Sequence, residues 1–234
     1  MSEQALPDIV VIIPAFNEEN AVGNVIRDIP KDLVREIIVV NNNSNDATKE
    51  KATAAGATVL DQPTQGYGNA CLKGIDYINN MQPTPQIVVF LDADYSDHPE
   101  ELPNLVQPII NDGVDMVIGS RALGNKEKGS MTPQQVFGNI LATKLLKLMY
   151  GVKYTDLGPF RAITYDALTR MQMQDRTYGW TVEMQLKAAK MKMKTTEVPV
   201  KYRKRIGHSK ISGTLKGTVL AGYKIITTIF KYTF

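Results

Sequence analysis

Residues 87–94 read Ile87-Val88-Val89-Phe90-Leu91-Asp92-Ala93-Asp94, an apolar run that stops at two carboxylates separated by one small residue. An unbroken apolar run fits a strand covered on both faces, as in a parallel sheet, and ligands of open α/β sheets sit beyond the carboxyl ends of such strands. Asp92 and Asp94 fall at that end. Hard oxygen ligands of this kind suit Mg²⁺ or Mn²⁺ shared with a substrate phosphate. The competing reading is a turn that caps a helix starting near Pro99, since Asp is a common turn and N-cap residue.

Outward from this stretch, strand and helix patterns alternate. Ile9–Ile13, Glu36–Val40, Thr58–Leu60, Ile87–Leu91 and Val114–Ile118 read as strands. Helix patterns cover Glu18–Asp28, Asp46–Ala55, Gly66–Asn80 and Glu100–Asn111. This alternation predicts a mostly parallel sheet with helices on both faces, an α/β fold of Rossmann-like type. Beyond Arg121 the pattern changes. Leu123–Thr132 reads as an exposed loop, Gln134–Met149, Asp166–Met171 and Thr181–Met193 as helices, and Thr195–Tyr202 as a strand.

With 234 residues, 43% of them hydrophobic and 22% charged, the chain has the material for one large domain. Residues 1–234 read as one domain in three parts: 1–121, 122–210 and a C-terminal amphipathic helix (211–234). Met1–Asp8 lacks a basic start and an apolar signal core, and Cys71 stands alone, so a reducing cytoplasm is the expected location. Cys71 falls in a helix pattern and reads as packing rather than as a nucleophile.

The net charge of +3 hides a polarity. From Lys187 onward twelve basic residues face only Glu197, giving +11, and the remainder is −8. Such a segment favours a phosphate-bearing partner, and the lack of any helix-turn-helix, zinc-finger or RNP signature argues against nucleic acid. The late apolar stretch Thr218–Phe230 contains Lys224 and is shorter than the roughly 20 residues a membrane span needs. On a helix, Lys216, Lys224 and Lys231 lie within roughly 80° of one another. Leu215, Val219, Tyr223, Ile226, Ile229 and Phe230 take the other side. Such a helix either docks on the domain or lies on an anionic membrane surface.

Three further strand ends point where Asp92 and Asp94 point: Pro14-Ala15-Phe16-Asn17-Glu18, Asn41-Asn42-Asn43-Ser44-Asn45-Asp46 and Gly119-Ser120-Arg121. Amides at the first two could read a base and ribose, and the carboxylates could hold a metal bridging two phosphates.

Together with Gln65-Gly66-Tyr67-Gly68-Asn69-Ala70, His98-Pro99-Glu100, Asp156-Leu157-Gly158-Pro159-Phe160-Arg161-Ala162, Trp180-Thr181-Val182-Glu183, Glu197-Val198-Pro199-Val200 and Arg205-Ile206-Gly207-His208-Ser209-Lys210, these segments resemble glycosyltransferase family 2. That family comprises inverting nucleotide-sugar enzymes of GT-A fold. Within it the chain is most similar to the dolichyl-phosphate mannose and glucose synthase branch. The resemblance implies that residues 1–121 are a nucleotide-sugar-binding half and 122–210 an acceptor-side half, and that Pro14, Ala15, Asn17 and Glu18 line the nucleoside pocket with Asn43 and Asp46 nearby. Gln65, Gly66 and Gly68 would form the loop beside ribose and diphosphate. Asp92, Ala93 and Asp94 would sit on the donor, with the two carboxylates holding Mg²⁺ or Mn²⁺. The commoner family pattern has an acidic residue where Asn41 or Asn42 stands here, which leaves UDP and GDP both open.

The implied reaction is a single displacement at the anomeric carbon of a UDP- or GDP-hexose. Asp94 and its metal, with Arg203, Arg205 and Lys210, would stabilise charge on the leaving diphosphate. Glu183 is the nominated general base for a hydroxyl acceptor, whereas an anionic polyprenyl phosphate would leave it to orient the site or pair with a lysine. Tyr178 and Trp180 either stack on sugar or acceptor or pack in the core.

The expected enzyme is peripheral on the cytoplasmic face of a membrane, transferring to a polyprenyl phosphate or another lipid-linked acceptor. A homodimer and a monomer are both open. The alternative within the fold is a transferase making a small soluble glycoside such as a glycosylglycerate. A sugar-phosphate nucleotidyltransferase fits less well, lacking its usual Gly-rich loop after the first strand. A non-catalytic binding protein also fits less well, given intact Asp92, Asp94, Arg205 and Lys210.

Overall fold

In the computed structural model, residues 7–207, 227–229 and 231 are described. Seven strands form a single sheet in the order β3-β2-β1-β4-β6-β5-β7. They are β1 (Ile9–Ala15), β2 (Glu36–Asn41), β3 (Thr58–Asp61), β4 (Ile87–Phe90), β5 (Met116–Ser120), β6 (Arg161–Thr164) and β7 (Thr195–Pro199). The helices are α1 (Val22–Asp28), α2 (Thr48–Ala54), α3 (Tyr67–Asn79), α4 (Leu102–Asp112), α5 (Pro133–Tyr150), α6 (Tyr165–Met171) and α7 (Trp180–Lys190).

All strand pairs are parallel except those of β6, which runs antiparallel to both β4 and β5. The sequence reading missed β6. It is only four residues long, opens on an arginine, and carries no period long enough to register.

The alternation of side chains along the strands builds two cores. Val10 and Ile12 of β1, Ile38 and Val40 of β2 and Val88 and Phe90 of β4 pack with Ala70, Cys71, Ala142, Leu146, Trp180 and Met184 of α3, α5 and α7. Ile9, Val11, Ile13, Val39 and Val89 face the other way, onto Val22, Val25, Leu102 and Leu105 of α1 and α4. A strand buried on both faces reads as a continuous apolar run, which is why β1, β2 and β4 were visible in the sequence.

Several boundaries differ. The α1 helix begins at Val22 rather than Glu18, whose carbonyl instead accepts the Ala21 and Val22 amides in a tight turn. The next helix begins at Thr48, because Asp46 Oδ1 accepts the Thr48 amide ahead of it (3.0 Å). A 3₁₀ turn at Pro99–Glu101 leads into α4. The strand read to Tyr202 ends at Pro199, and Tyr202 makes isolated bridges with Asp97 and Lys126.

The expected C-terminal helix over 211–234 falls mostly outside the described residues. Among the described residues no helix is long and apolar enough to cross a membrane.

From β1 the chain proceeds outward through β2 to β3, then returns to lay β4 on the opposite edge of β1. The crevice over the carboxyl ends of β1 and β4 is therefore the topological switch point of this sheet.

Candidate active site

That crevice is a cleft of about 320 Å³ lined by residues from six segments. The end of β1 supplies Pro14, Ala15, Phe16 and Glu18, and the end of β2 supplies Asn42. The start of α3 supplies Gln65, Gly66 and Tyr67, and the end of β4 supplies Asp92, Ala93 and Asp94. Tyr178 and Arg205 complete it. Sequence reasoning did not assign Phe16, Asn42 or Tyr67, although all three lay inside quoted segments.

The rim is held by side chains that replace ladder bonds where the strands stop. The Asn17 amide donates to Ser44 Oγ (3.0 Å) and Asn17 Oδ1 accepts the Asn45 amide (2.9 Å), latching β1 to β2. Asn17 (φ 54°) and Asn43 (φ 63°) adopt left-handed backbone, which asparagine tolerates. Asn42 Nδ2 donates to the Gln62 and Thr64 carbonyls, and its Oδ1 accepts the Gly66 amide at 2.7 Å. Asn42 thereby shapes the Gln65–Gly66 wall. Asn17, Asn43 and Asp46 are not among the lining residues, and Asn43 is exposed.

The two glycines of Gly66-Tyr67-Gly68 answer to protein backbone. At Gly66 (φ +143°) an added Cβ would lie 2.2 Å from the Arg176 carbonyl oxygen, and at Gly68 one would lie 1.9 Å from that of Asp175. Gly68 is not a lining residue, and its backbone packs against the 175–176 loop.

At the end of β4, Asp92 Oδ1 accepts the Tyr67 hydroxyl (2.9 Å). Asp94 Oδ1 accepts both the amide (2.9 Å) and hydroxyl (2.5 Å) of Ser96. Burial, followed by the charge of Asp94, pushes Asp92 up to about 6, against the lowering influence of Tyr67, Arg205 and Arg121. Asp97, 2% exposed, has neither carboxyl oxygen hydrogen-bonded among the described residues. Burial, then Asp92 and Asp94, raise it well above the ordinary carboxyl range. Arg121 works against that rise at Asp97 as it does at Asp92.

Asp92 and Asp94, both lining the cleft at the end of β4, offer the hard oxygen donors that a divalent cation takes. No cluster of three or more metal-ligating side chains occurs among the described residues. The pair therefore suits Mg²⁺ or Mn²⁺, which bind through one or two carboxylates and draw remaining ligands from water and phosphate. It does not suit Zn²⁺, which takes three or four protein ligands.

A basic strap crosses this turn. The Arg203 amide donates to the Ser96 carbonyl (2.9 Å) and the Ile206 amide to the Asp94 carbonyl (3.0 Å). The Arg203 guanidinium lies 3.6 Å from the centroid of the Tyr95 ring. Arg205 spans two carboxylates, donating to Glu18 Oε1 at 2.6 Å and lying 3.1 Å from Asp94 Oδ2. Lys210 lies outside the described residues.

Glu183 takes another position than the one expected of a base. It is 0% exposed, its oxygens accept the Gln174 (2.9 Å) and Asp175 (2.6 Å) amides, and Lys187 pairs with it at 2.7 Å. It is not a lining residue. Those bonds fix the turn that buttresses Gly66 and Gly68 and carries Tyr178 to the cleft. Trp180 is in the core, edge-on to Phe90 at 5.9 Å between centroids.

Residues 10–171 match the model described as Glycosyl transferase family 2. A dolichyl-phosphate hexose transferase of Haloferax volcanii is 31% identical over 94% of this chain and 93% of its own length. A UDP-N-acetylglucosamine–dolichyl-phosphate N-acetylglucosaminyltransferase of Methanococcus voltae is 29% identical over 93% and 92%. Glucosyl-3-phosphoglycerate synthase of Mycobacterium tuberculosis, solved with Mn²⁺, UDP and glucosyl-3-phosphoglycerate, superposes with a TM-score of 0.77 at 23% identity, covering 97% of this chain and 80% of that one. The fold is thus the GT-A type the motifs implied.

Proposed function

The chain belongs to glycosyl transferase family 2, and from that premise we propose that it moves a hexose from UDP- or GDP-sugar to a polyprenyl phosphate or another membrane-associated acceptor. The observation that carries the donor half is the Asp92–Asp94 pair lining the switch-point cleft, with Arg205 beside it. The family relatives with dolichyl-phosphate in their names support the acceptor half.

In this reading Pro14, Ala15, Phe16, Asn42 and the Gln65–Gly66 wall receive the nucleoside. Tyr67 holds Asp92 in its rotamer, and Ser96 does the same for Asp94. Asp92 and Asp94 would hold Mg²⁺ or Mn²⁺, which when bound supplies a Lewis acid for the leaving diphosphate. Arg205, on the cleft wall, adds a positive group where that charge develops. The acceptor phosphate is an anion and needs no deprotonation to attack, so a buried, amide-bound Glu183 is compatible with turnover. A hydroxyl acceptor would require a base that Glu183 is poorly placed to provide.

Radiolabelled UDP-glucose, UDP-N-acetylglucosamine or GDP-mannose incubated with Mn²⁺ and a short polyprenyl phosphate tests this. Label should enter the organic phase. Transfer only into water-soluble phosphoglycerate or glycerate would replace the acceptor assignment with the small-glycoside alternative.

A further inference from the structure

Asp94 has one oxygen committed to the protein and one facing the cleft. Its Oδ1 is taken by the Ser96 amide and hydroxyl. Its Oδ2 is the oxygen on which Arg205 sits, 3.1 Å away. The same guanidinium reaches Glu18 Oε1 at 2.6 Å, so one cation spans the cleft between the ends of β1 and β4. Backbone bonds from Arg203 to Ser96 and from Ile206 to Asp94 clamp the strap on either side of it. Arg205 is not fully satisfied there: its Nε is buried and has no acceptor among the described residues. A donor left unmatched inside a cleft is costly, and the cost is removed when a ligand supplies the acceptor.

We infer that Arg205 is a displaceable counter-ion: it occupies the metal-facing side of Asp94 in the ligand-free protein and must exchange that carboxylate for a diphosphate oxygen when metal binds. This rests on the donor-site reading of the previous subsection and adds an order of events to it. A divalent ion arriving alone meets a guanidinium already seated on its ligand, and two cations at such a distance repel strongly in a partly buried site. A divalent ion arriving with a nucleoside diphosphate brings the anion onto which Arg205 can turn. Metal and nucleotide therefore bind with positive coupling, each raising the affinity for the other by the same factor. The device would keep the enzyme from filling with metal before donor is present.

The test is Mn²⁺ affinity measured by the electron paramagnetic resonance signal of free MnCl₂, with and without UDP or GDP, in wild type, Arg205→Gln and Arg205→Lys. In wild type the nucleotide should tighten Mn²⁺ binding by about 5–150-fold, the usual range of such coupling. Arg205→Gln should bind Mn²⁺ alone at least about tenfold more tightly than wild type, because the competing charge is gone. Its coupling to nucleotide should shrink. Arg205→Lys keeps a cation but cannot span both carboxylates as a fork does, and should fall between. Equal or weaker Mn²⁺ binding in both variants, at melting temperatures matching wild type, would overturn the inference. Wild type binding Mn²⁺ equally with and without either nucleotide overturns it while leaving the donor-site reading standing. Wild type binding neither Mn²⁺ nor any nucleotide removes both.

Discussion

The ends of β1 and β4 and the end of β5 lie on one sheet edge but treat charge in opposite ways. Beyond β5, the Arg121 guanidinium makes a two-pronged contact with Asp156 at 2.8 and 2.7 Å, and the Arg121 amide adds a third bond to the same carboxylate. Glu197 nearby accepts the Thr155 and Asp156 amides and the Thr155 hydroxyl. Those acids have their complement within the protein. Burial works against the Arg121 charge, yet the charge and hydrogen bonds of Asp156 prevail and raise its pKa. At β1 and β4, by contrast, Glu18 and Asp94 share one arginine, Asp92 has a tyrosine hydroxyl, and Asp97 has no side-chain partner among the described residues. A protein completes the charges it uses as scaffold and leaves incomplete those that a ligand completes.

The largest expected effect breaks the completed side. Arg121→Ala leaves Asp156, 1% exposed, without its cation, and should cost about 3–5 kcal/mol by denaturant titration. A loss under about 1 kcal/mol would mean that the pair contributes little and that the contrast is overdrawn.

The opposite sign is expected on the unfinished side. Asp92 has its pKa raised from 3.8 to about 6 in the folded protein, so folding takes up a proton there. This contribution to stability is fully present below the unfolded value of 3.8 and is lost as pH rises through about 6. With EDTA present at pH 7, Asp92→Asn should therefore raise stability, by up to about 2–3 kcal/mol, and the gain should disappear by pH 4. Destabilisation by Asp92→Asn at pH 7 in EDTA would show that Asp92 is structurally satisfied after all.

A smaller effect is expected at the start of α5. Thr132 and Gln135 form a reciprocal capping box there, with bonds of 3.2 and 2.8 Å. Thr132→Ala should cost about 1 kcal/mol in thermal or denaturant unfolding and leave Mn²⁺ affinity unchanged. A change in metal binding would couple the two regions that the geometry separates.

The contrast also explains what could be read beforehand. Strands buried on both faces announce themselves as Ile9–Ile13, Ile37–Val40 within Glu36–Val40, and Ile87–Leu91, because desolvation demands apolar side chains at each buried position. Asp92 and Asp94 were legible because two carboxylates directly after such a run have no place in a core. β6 was not, since Arg161 is fully buried on the Leu157, Gly158 and Thr181 carbonyls, a solution that no periodicity encodes. Burial lowers its pKa to about 10. For Glu183 the sequence leaves a base and a lysine-paired carboxylate both open, and its Lys187 pair and its amide partners eight and nine residues back favour the second. The need for glycine at 68 is likewise set by the Asp175 carbonyl, more than a hundred residues away. Contacts distant in sequence separate a ligand-facing group from a scaffold one.

In the proposed function the cleft over β1 and β4 binds a nucleotide through a metal that Asp92 and Asp94 would hold. The most direct measurement is the melting temperature with UDP or GDP, with and without Mn²⁺, in wild type and Asp92→Asn/Asp94→Asn, since a ligand bound to the folded state alone raises its apparent stability. Wild type should show a nucleotide-induced rise that requires Mn²⁺, and the double variant should show none. A metal-dependent rise of equal size in the double variant would contradict the account.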